Sequence, residues 1–420
     1  MPLADGLAFL SQLDLAGFVV VFWHLVLLEL PRYLFAAILV TAASLIQARR
    51  PSRPANLSVS VLLPGHNEAA NLALAVASIR EQTLRHCQIV VVDDGSDDNM
   101  AALARRLQRD GLIDVFISTP VRSGKSAAAN LGLTYCTGDF VIIADADTTY
   151  DRDAFAELLL PFADPRVGAV SGNIGVRNAS ASLLASWQAV QYLISISLGR
   201  RVSDMLDILF IVSGAFGAFR REAILSVGGW DVGPGEDADI TVKMRRAGWR
   251  IRFAPDAWSL TDVPVSVRGI VNQRLRWNRS MIRIRMRKFR GLFDVRQAQF
   301  SVKDAFGTAD IVFFQFAMPL SFVGYLFWLF FNYGAFGWVL LMAVSSVYVV
   351  LGVLSFVMAA AISGWHGRMS LWPFALSYEL FNAYFLRFVA LIAYLDELVW
   401  RHSYDDDYVP RRVRERTERY

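Results

Sequence analysis

Two aspartates, Asp145 and Asp147, stand one residue apart at the end of the apolar run Phe140 to Ala144. Carboxylate oxygens are hard donors that suit Mg2+ or Mn2+, and a pair of them leaves coordination positions for the phosphate oxygens of a nucleotide diphosphate. Asp-x-Asp alone is a weak signal, because a solvated loop meets it as easily. Its company strengthens it. Asn67 and Glu68 close the stretch Pro64-Gly65-His66-Asn67-Glu68, and Asp93-Asp94-Gly95-Ser96 follows a second apolar run, Gln88 to Val92. Each turn by itself reads as a helix cap, since Asn, Asp and Ser favour such positions. Three of them after successive strand candidates point to one shared edge. Further on, Gly235-Glu236-Asp237-Ala238-Asp239 places three acids in four positions. One acid suits the positive end of a helix; three exceed that need, and a carboxylate there can take a proton from an attacking hydroxyl.

These groups need a scaffold, and the surrounding periodicity supplies one. Ser58 to Leu63, Gln88 to Val92, Val115 to Ile117 and Phe140 to Ala144 read as strands, and helical patterns follow the first three. Strands alternating with helices imply a mostly parallel sheet with ligands at the carboxyl ends of its strands. A helix near Asp153 to Leu160, a strand at Val167 to Val170 and an amphipathic stretch from Leu183 to Leu198 come next. Gly124-Lys125-Ser126 is not a phosphate-binding P-loop, because Thr119 stands where that motif needs a glycine. Lys125 remains either a phosphate or ribose neighbour or a surface lysine.

Long apolar runs gather at the two ends of the 420 residues, and the middle has the mixed polarity of a soluble domain. The expected division is an N-terminal membrane segment over 1–48, an α/β domain over 49–262, amphipathic interfacial helices over 263–304, membrane segments over 305–400 and a basic tail over 401–420. At the N-terminus one bent span is expected; two short spans, or a span with an interfacial helix, are its rivals. Arg49, Arg50 and Arg53 after that span place the middle domain in the cytoplasm and Asp5 and Asp14 outside. Ile311 to Phe331 and Phe336 to Ile362 read as two full spans. Leu371 to Trp400 carries Glu379, Arg387, Asp396 and Glu397, so it is expected to lie at the interface or re-enter; two crossings keep the arginines of the tail inside. About three spans beside a larger soluble domain argue against a small-solute transporter. Cys87 and Cys136 read as ordinary buried thiols in a reducing compartment.

Nine Lys and Arg and no acid lie between Arg268 and Arg290, interleaved with apolar residues at helical spacing. The pattern favours a helix on anionic inner-leaflet lipid over nucleic acid. Within it, Gln273-Arg274-Leu275-Arg276-Trp277 offers guanidinium groups that can clamp a diphosphate and an indole face for a sugar ring.

The ordered motifs resemble the processive, membrane-embedded members of glycosyltransferase family 2, the cellulose, chitin, hyaluronan and poly-N-acetylglucosamine synthases, whose catalytic domain has the GT-A fold. The similarity runs from about Val59 to Trp277. Pro64 to Glu68 looks like the family's first nucleotide loop, Asp93-Asp94-Gly95-Ser96 like its uridine turn, Asp145-Ala146-Asp147 like its metal motif. Gly235-Glu236-Asp237 is similar to its Thr/Gly-Glu-Asp motif, and Gln273 to Trp277 matches Gln-x-x-Arg-Trp, the mark of polymerising members. The resemblance implies that Asp94 contacts uracil, Asp145 the nucleotide and Asp147 a Mg2+ or Mn2+ ion. It further implies that Asp237 is the base with Glu236 beside it, that Arg276 holds the diphosphate, and that Trp277 lines the acceptor site. A UDP-sugar donor, UDP-N-acetylglucosamine by the glycine of Gly-Glu-Asp, and a growing glycan are the substrates so implied. Single-sugar transfer to a lipid-linked acceptor and a nucleotide-sugar sensor without turnover are the rival readings. The compact chain leaves room for an export partner or a homo-oligomer.

Overall fold

The computed structural model describes residues 8–45, 57–296, 300–364, 367–405 and 409–415. Arg49, Arg50 and Arg53, Asp5, and Arg416 and Arg419 of the tail lie outside the described residues. Strands β1 (Val59–Gly65), β2 (Gln88–Asp94), β3 (Val115–Thr119) and β4 (Phe140–Ala144) run parallel in the order β3-β2-β1-β4. Their side chains alternate between two cores, as the pleat requires. Val61, Leu63, Ile89, Val91 and Ile142 pack on helices α1 and α2, here defined as Leu72–Arg80 and Met100–Arg109. Leu62, Val90, Val92, Val141 and Ile143 pack on the opposite face with α3, Lys125–Leu133. Burial on both faces is why these strands read as unbroken apolar runs.

The sheet is larger and more mixed than its sequence suggests. It continues β4-β7-β6-β8-β5, with β5 (Thr149–Tyr150), β6 (Val167–Val176), β7 (Phe216–Arg220) and β8 (Arg250–Thr261). β7 is antiparallel to both β4 and β6, whereas β6 and β8 are parallel. The loop before β7 starts at the carboxyl edge, where Asp145 N donates to Ala215 O (3.3 Å). A strand entered from that edge must run against β4; β7 and the short β5 oppose the other six strands, so the sheet is mostly parallel, as expected.

Among the described residues, three helical runs are long and apolar enough to cross a membrane: His24–Ala42, Val302–Ile362 and Met369–Val399. The second holds α6 (Val302–Val312), α7 (Met318–Tyr333) and α8 (Gly337–Ile362), labels that leave α4 for Glu236–Arg246 and α5 for Val267–Ile282. Between α7 and α8, Gly334 adopts φ +53 and the chain reverses, bringing the rings of Phe330 and Trp338 to 4.9 Å. This is the hairpin expected from the turn at Asn332 to Ala335. The third run holds α9 (Trp372–Leu380) and α10 (Arg387–Val399). Near its start Trp187 donates to Ser377 Oγ (3.0 Å), and near its end Asp396 and Glu397 pair with Arg279 and Arg287. Both ends thus rest on elements outside the apolar helices. Its polar residues face protein: Glu379 accepts from Tyr33 and Asn382, and Arg387 donates to Glu29.

Candidate active site

The turns after β1, β2 and β4 meet at one edge and are tied to each other. Asn67, at φ +60, donates its N–H to Ser96 Oγ (2.9 Å), and its side-chain oxygen accepts from Asp97 N (2.8 Å). Glu68 is half-buried and accepts from Asn71 (3.0 Å); burial raises its carboxyl above the ordinary value against that bond. Pro64, expected in the turn, is instead buried within β1 opposite Val92. Its missing N–H costs nothing there, because pairing with β4 stops at Leu62. Asp93 accepts from Ser96 N and Ser118 Oγ. Asp94, buried, accepts from the backbone N–H groups of Ser123 and Gly124, both at 2.7 Å. Those bonds fix the loop that presents Lys125.

Lys125 Nζ lies 2.5 Å from Asp145 Oδ1, 3.5 Å from Gly214 O and 3.8 Å from Glu236 Oε1, so one ammonium links the Asp-x-Asp turn to the acid helix α4. Lys125, Glu236 and Asp237 line a common pocket with Ile143, Gly214 and Trp230. Arg177 donates to Asp147 O (3.0 Å) while paired with Asp262, holding the end of the turn. Burial, and then the neighbouring Asp145, raise the Asp147 carboxyl above its ordinary value. Burial also raises Glu236 and Asp237, with Lys125 opposing the shift at both and Asp145 adding to it. Two acids whose carboxyls burial pushes upward, beside a lysine and a carboxylate pair, form a setting suited to proton transfer.

The helix α5 carries Gln273, Arg274, Arg276 and Trp277. Spacings of four, three and four residues put Gln273, Trp277, Ser280 and Ile284 on one face. That face meets the start of α4: a Cβ on Gly235 would come within 2.9 Å of Ser280 Cβ and 2.7 Å of Ile284 Cδ1. Gly235 caps α4 with φ +85. Substituting Gly235→Ala therefore combines backbone strain with a collision, and we expect about 1–3 kcal/mol of lost stability with a slower enzyme, read by thermal unfolding and turnover. Trp277 is exposed. Arg274 is buried, donates to Gln191 (2.6 Å) and lies 4.3 Å from the Trp277 ring centroid, so it supports the tryptophan from behind.

Residues 60–228 match glycosyl transferase family 2. The chain is 30% identical over 233 residues to the poly-beta-1,6-N-acetyl-D-glucosamine synthase of Staphylococcus aureus, strain COL. The corresponding protein of Staphylococcus epidermidis is 29% identical over the same length. Each match covers 55% of this chain and 56% of the relative, so it spans little more than half of either protein. A mannosyltransferase from Pyrobaculum calidifontis, solved with GDP-Man and Mn2+, superposes with a TM-score of 0.60 at 21% identity. It covers 95% of this chain and 99% of that one, a likeness of fold. Residues 60–228 are thus similar to family 2 glycosyl transferases, and the chain has a GT-A-like mixed α/β fold with apolar helices after it.

The basic stretch after the matched residues does not present its charge to lipid. Only Arg268 and Arg290 of the nine are exposed. Arg279 and Arg287 pair with Asp396 and Glu397, and Lys288 pairs with Asp231 and Asp239. Arg283 donates to Pro234 O, and Arg285 to Phe210 O while lying 4.4 Å from that ring. These acids lie far away in sequence, which is why the stretch looked unneutralised. Two further residues near the site escaped the sequence reading. Arg177 holds the Asp147 turn. Arg200, half-buried, donates to Ser171 Oγ (2.8 Å) and lies close enough to Asp237 to favour its ionised form; burial lowers Arg200 itself to about 10. The tail also reaches the site: Pro410 Cδ lies 3.4 Å from where a Gly124 Cβ would stand.

Proposed function

We propose that this chain is a membrane-embedded, inverting glycosyltransferase that moves a sugar from a UDP-sugar, UDP-N-acetylglucosamine by preference, to a growing β-linked polysaccharide. The observation that carries the reading is the junction at Lys125, where the Asp145 turn and the Glu236-Asp237 helix meet beside the face of α5 that bears Gln273 and Trp277. The similarity to poly-N-acetylglucosamine synthases supports the choice of sugar and of polymer. In this reading Asp94 and the loop it fixes receive uracil, and Asn67, Glu68 and Lys125 border the nucleotide. Arg276 holds the diphosphate, and Trp277 stacks on the acceptor. Asp237 takes the proton of the acceptor hydroxyl as that oxygen attacks the anomeric carbon from the side opposite the diphosphate. One base without an enzyme nucleophile gives inversion.

Asp145 and Asp147 offer oxygen donors that fit Mg2+ or Mn2+. Among the described residues no group of three or more His, Cys, Asp or Glu is gathered to hold a metal, so phosphate oxygens would complete the shell. A bound cation there would neutralise the departing diphosphate. Metal affinity should accordingly be weak without UDP, fall further in Asp147→Asn, and be readable by titrating Mn2+ with and without nucleotide. The catalytic half would face the cytoplasm, with the α7–α8 hairpin crossing the membrane and the α9–α10 run lying along its inner face. The test is UDP release by purified protein from UDP-N-acetylglucosamine, UDP-glucose and UDP-glucuronic acid, with products sized. A long product from one donor supports the reading; a single sugar on a lipid replaces it with transfer to a carrier.

A further inference from the structure

Helix α10 is tied at both ends by charge. Near its start Arg387 donates to Glu29 Oε1 (3.0 Å), an acid buried in the π-helical turn His24–Glu29 that also accepts from the Tyr348 hydroxyl (2.7 Å). Near its end Asp396 lies 2.5 Å from Arg279, and Glu397 2.6 Å from Arg287. Glu397 is wholly buried and also accepts from the N–H and the hydroxyl of Ser403, both at 2.8 Å. Arg279 belongs to α5 and Arg287 to the π-helical turn Arg283–Lys288 that continues it. Between those two arginines, Arg283 donates to Pro234 O (2.8 Å), and Ser280 and Ile284 flank Gly235. Gly235 caps the helix whose first turn is Glu236-Asp237. A continuous line of contacts thus runs from Glu29 through α10 and α5 to the acid motif.

We propose that Asp396 and Glu397 are positioning residues that hold α5 against Gly235 and so set the aim of the Asp237 carboxylate. The role of Asp237 rests on the function proposed above. Apolar packing alone lets two helices slide or roll by small amounts. Two ion pairs eight residues apart on one helix, anchored to adjacent acids on the other, fix both rotation and register. Buried charge pairs of this kind specify a geometry more than they add stability. A displacement near 1 Å at a reacting group is enough to slow a reaction about 100-fold.

The test uses the full-length protein in detergent, wild type beside Asp396→Asn, Glu397→Gln, Arg287→Lys and Arg287→Met. Amide hydrogen exchange is followed in the peptide spanning 233–239 and in those of β1 and β2, together with UDP affinity and turnover. In Asp396→Asn and Glu397→Gln, exchange should quicken in 233–239 and stay unchanged in β1 and β2. UDP affinity should hold within about twofold while kcat falls about 10- to 100-fold. Arg287→Lys should retain most of the rate that Arg287→Met loses. Unchanged exchange in 233–239 overturns the proposal whatever the rates do, and so does faster exchange spread evenly over α4, β1 and β2. Exchange needs no turnover, so a wild-type protein silent with every donor would sink the transferase reading while this contact line is still decided.

Discussion

Asp237→Asn is expected to slow sugar transfer about 10²- to 10⁴-fold while leaving UDP affinity unchanged. The amide keeps the size of the side chain and its acceptor oxygen for Ala238 N, at 2.7 Å in the parent. It cannot take up a proton. The pH profile of the parent carries a second signature. Burial, reinforced by Asp145, raises the Asp237 carboxyl, so the ionised base is lost as pH falls through a value above that of an ordinary aspartate. The acid limb of kcat should therefore lie on the high side of the usual carboxylate range. Arg200 favours the ionised form, so Arg200→Gln should move that limb further up. Rates measured across pH with wild type, Asp237→Asn and Arg200→Gln check all three statements.

Asp94→Ala should weaken both the fold and the nucleotide site. Both carboxylate oxygens of Asp94 are engaged by backbone N–H groups, those of Ser123 and Gly124. Removing the side chain leaves one buried and one partly buried donor without their partner, at up to about 1–3 kcal/mol each. The loop then loses its anchor at the point where α3 begins, and Lys125 is the first residue of that helix. Lys125 in turn joins Asp145 to Glu236, so the damage passes from the Asp94 turn to the acid helix. We expect UDP to bind at least tenfold more weakly, about 1.4 kcal/mol, together with a lowered unfolding temperature. Asp94→Asn, which keeps one acceptor, should lose less of both. Titration calorimetry with UDP and a thermal melt separate the two effects.

How much of this was legible in the sequence differs from element to element, for physical reasons. β1, β2 and β4 are buried on both faces, so each is a continuous apolar run that stops abruptly at a polar turn, and the edge where those turns meet could be read from them. β8 left no such trace. Its centre holds Pro255 and Asp256, which argue against a strand. The fold absorbs them in an irregularity, where pairing jumps from Gly172↔Ala254 to Asn173↔Trp258 and Asn173 donates to Pro255 O. The basic stretch was legible as a helix bearing Gln273 and Trp277 but not as a buried one. Partners more than 100 residues away, Asp396 and Glu397, decide that, and spacing along a chain does not reveal them. Glu29 and Arg387 are charges within separate apolar runs of the sequence, and their pairing across the molecule accounts for both.

The most direct test of the central claim is the anomeric configuration of the bond this protein makes. Purified protein with Mn2+ and UDP-N-acetylglucosamine, whose sugar is α-linked to the diphosphate, would be followed by NMR of the first product. In-line attack by a hydroxyl deprotonated at Asp237 predicts a β linkage throughout, and no product from Asp237→Asn. An α-linked product would contradict in-line attack, since retention requires an enzyme nucleophile or a front-side path.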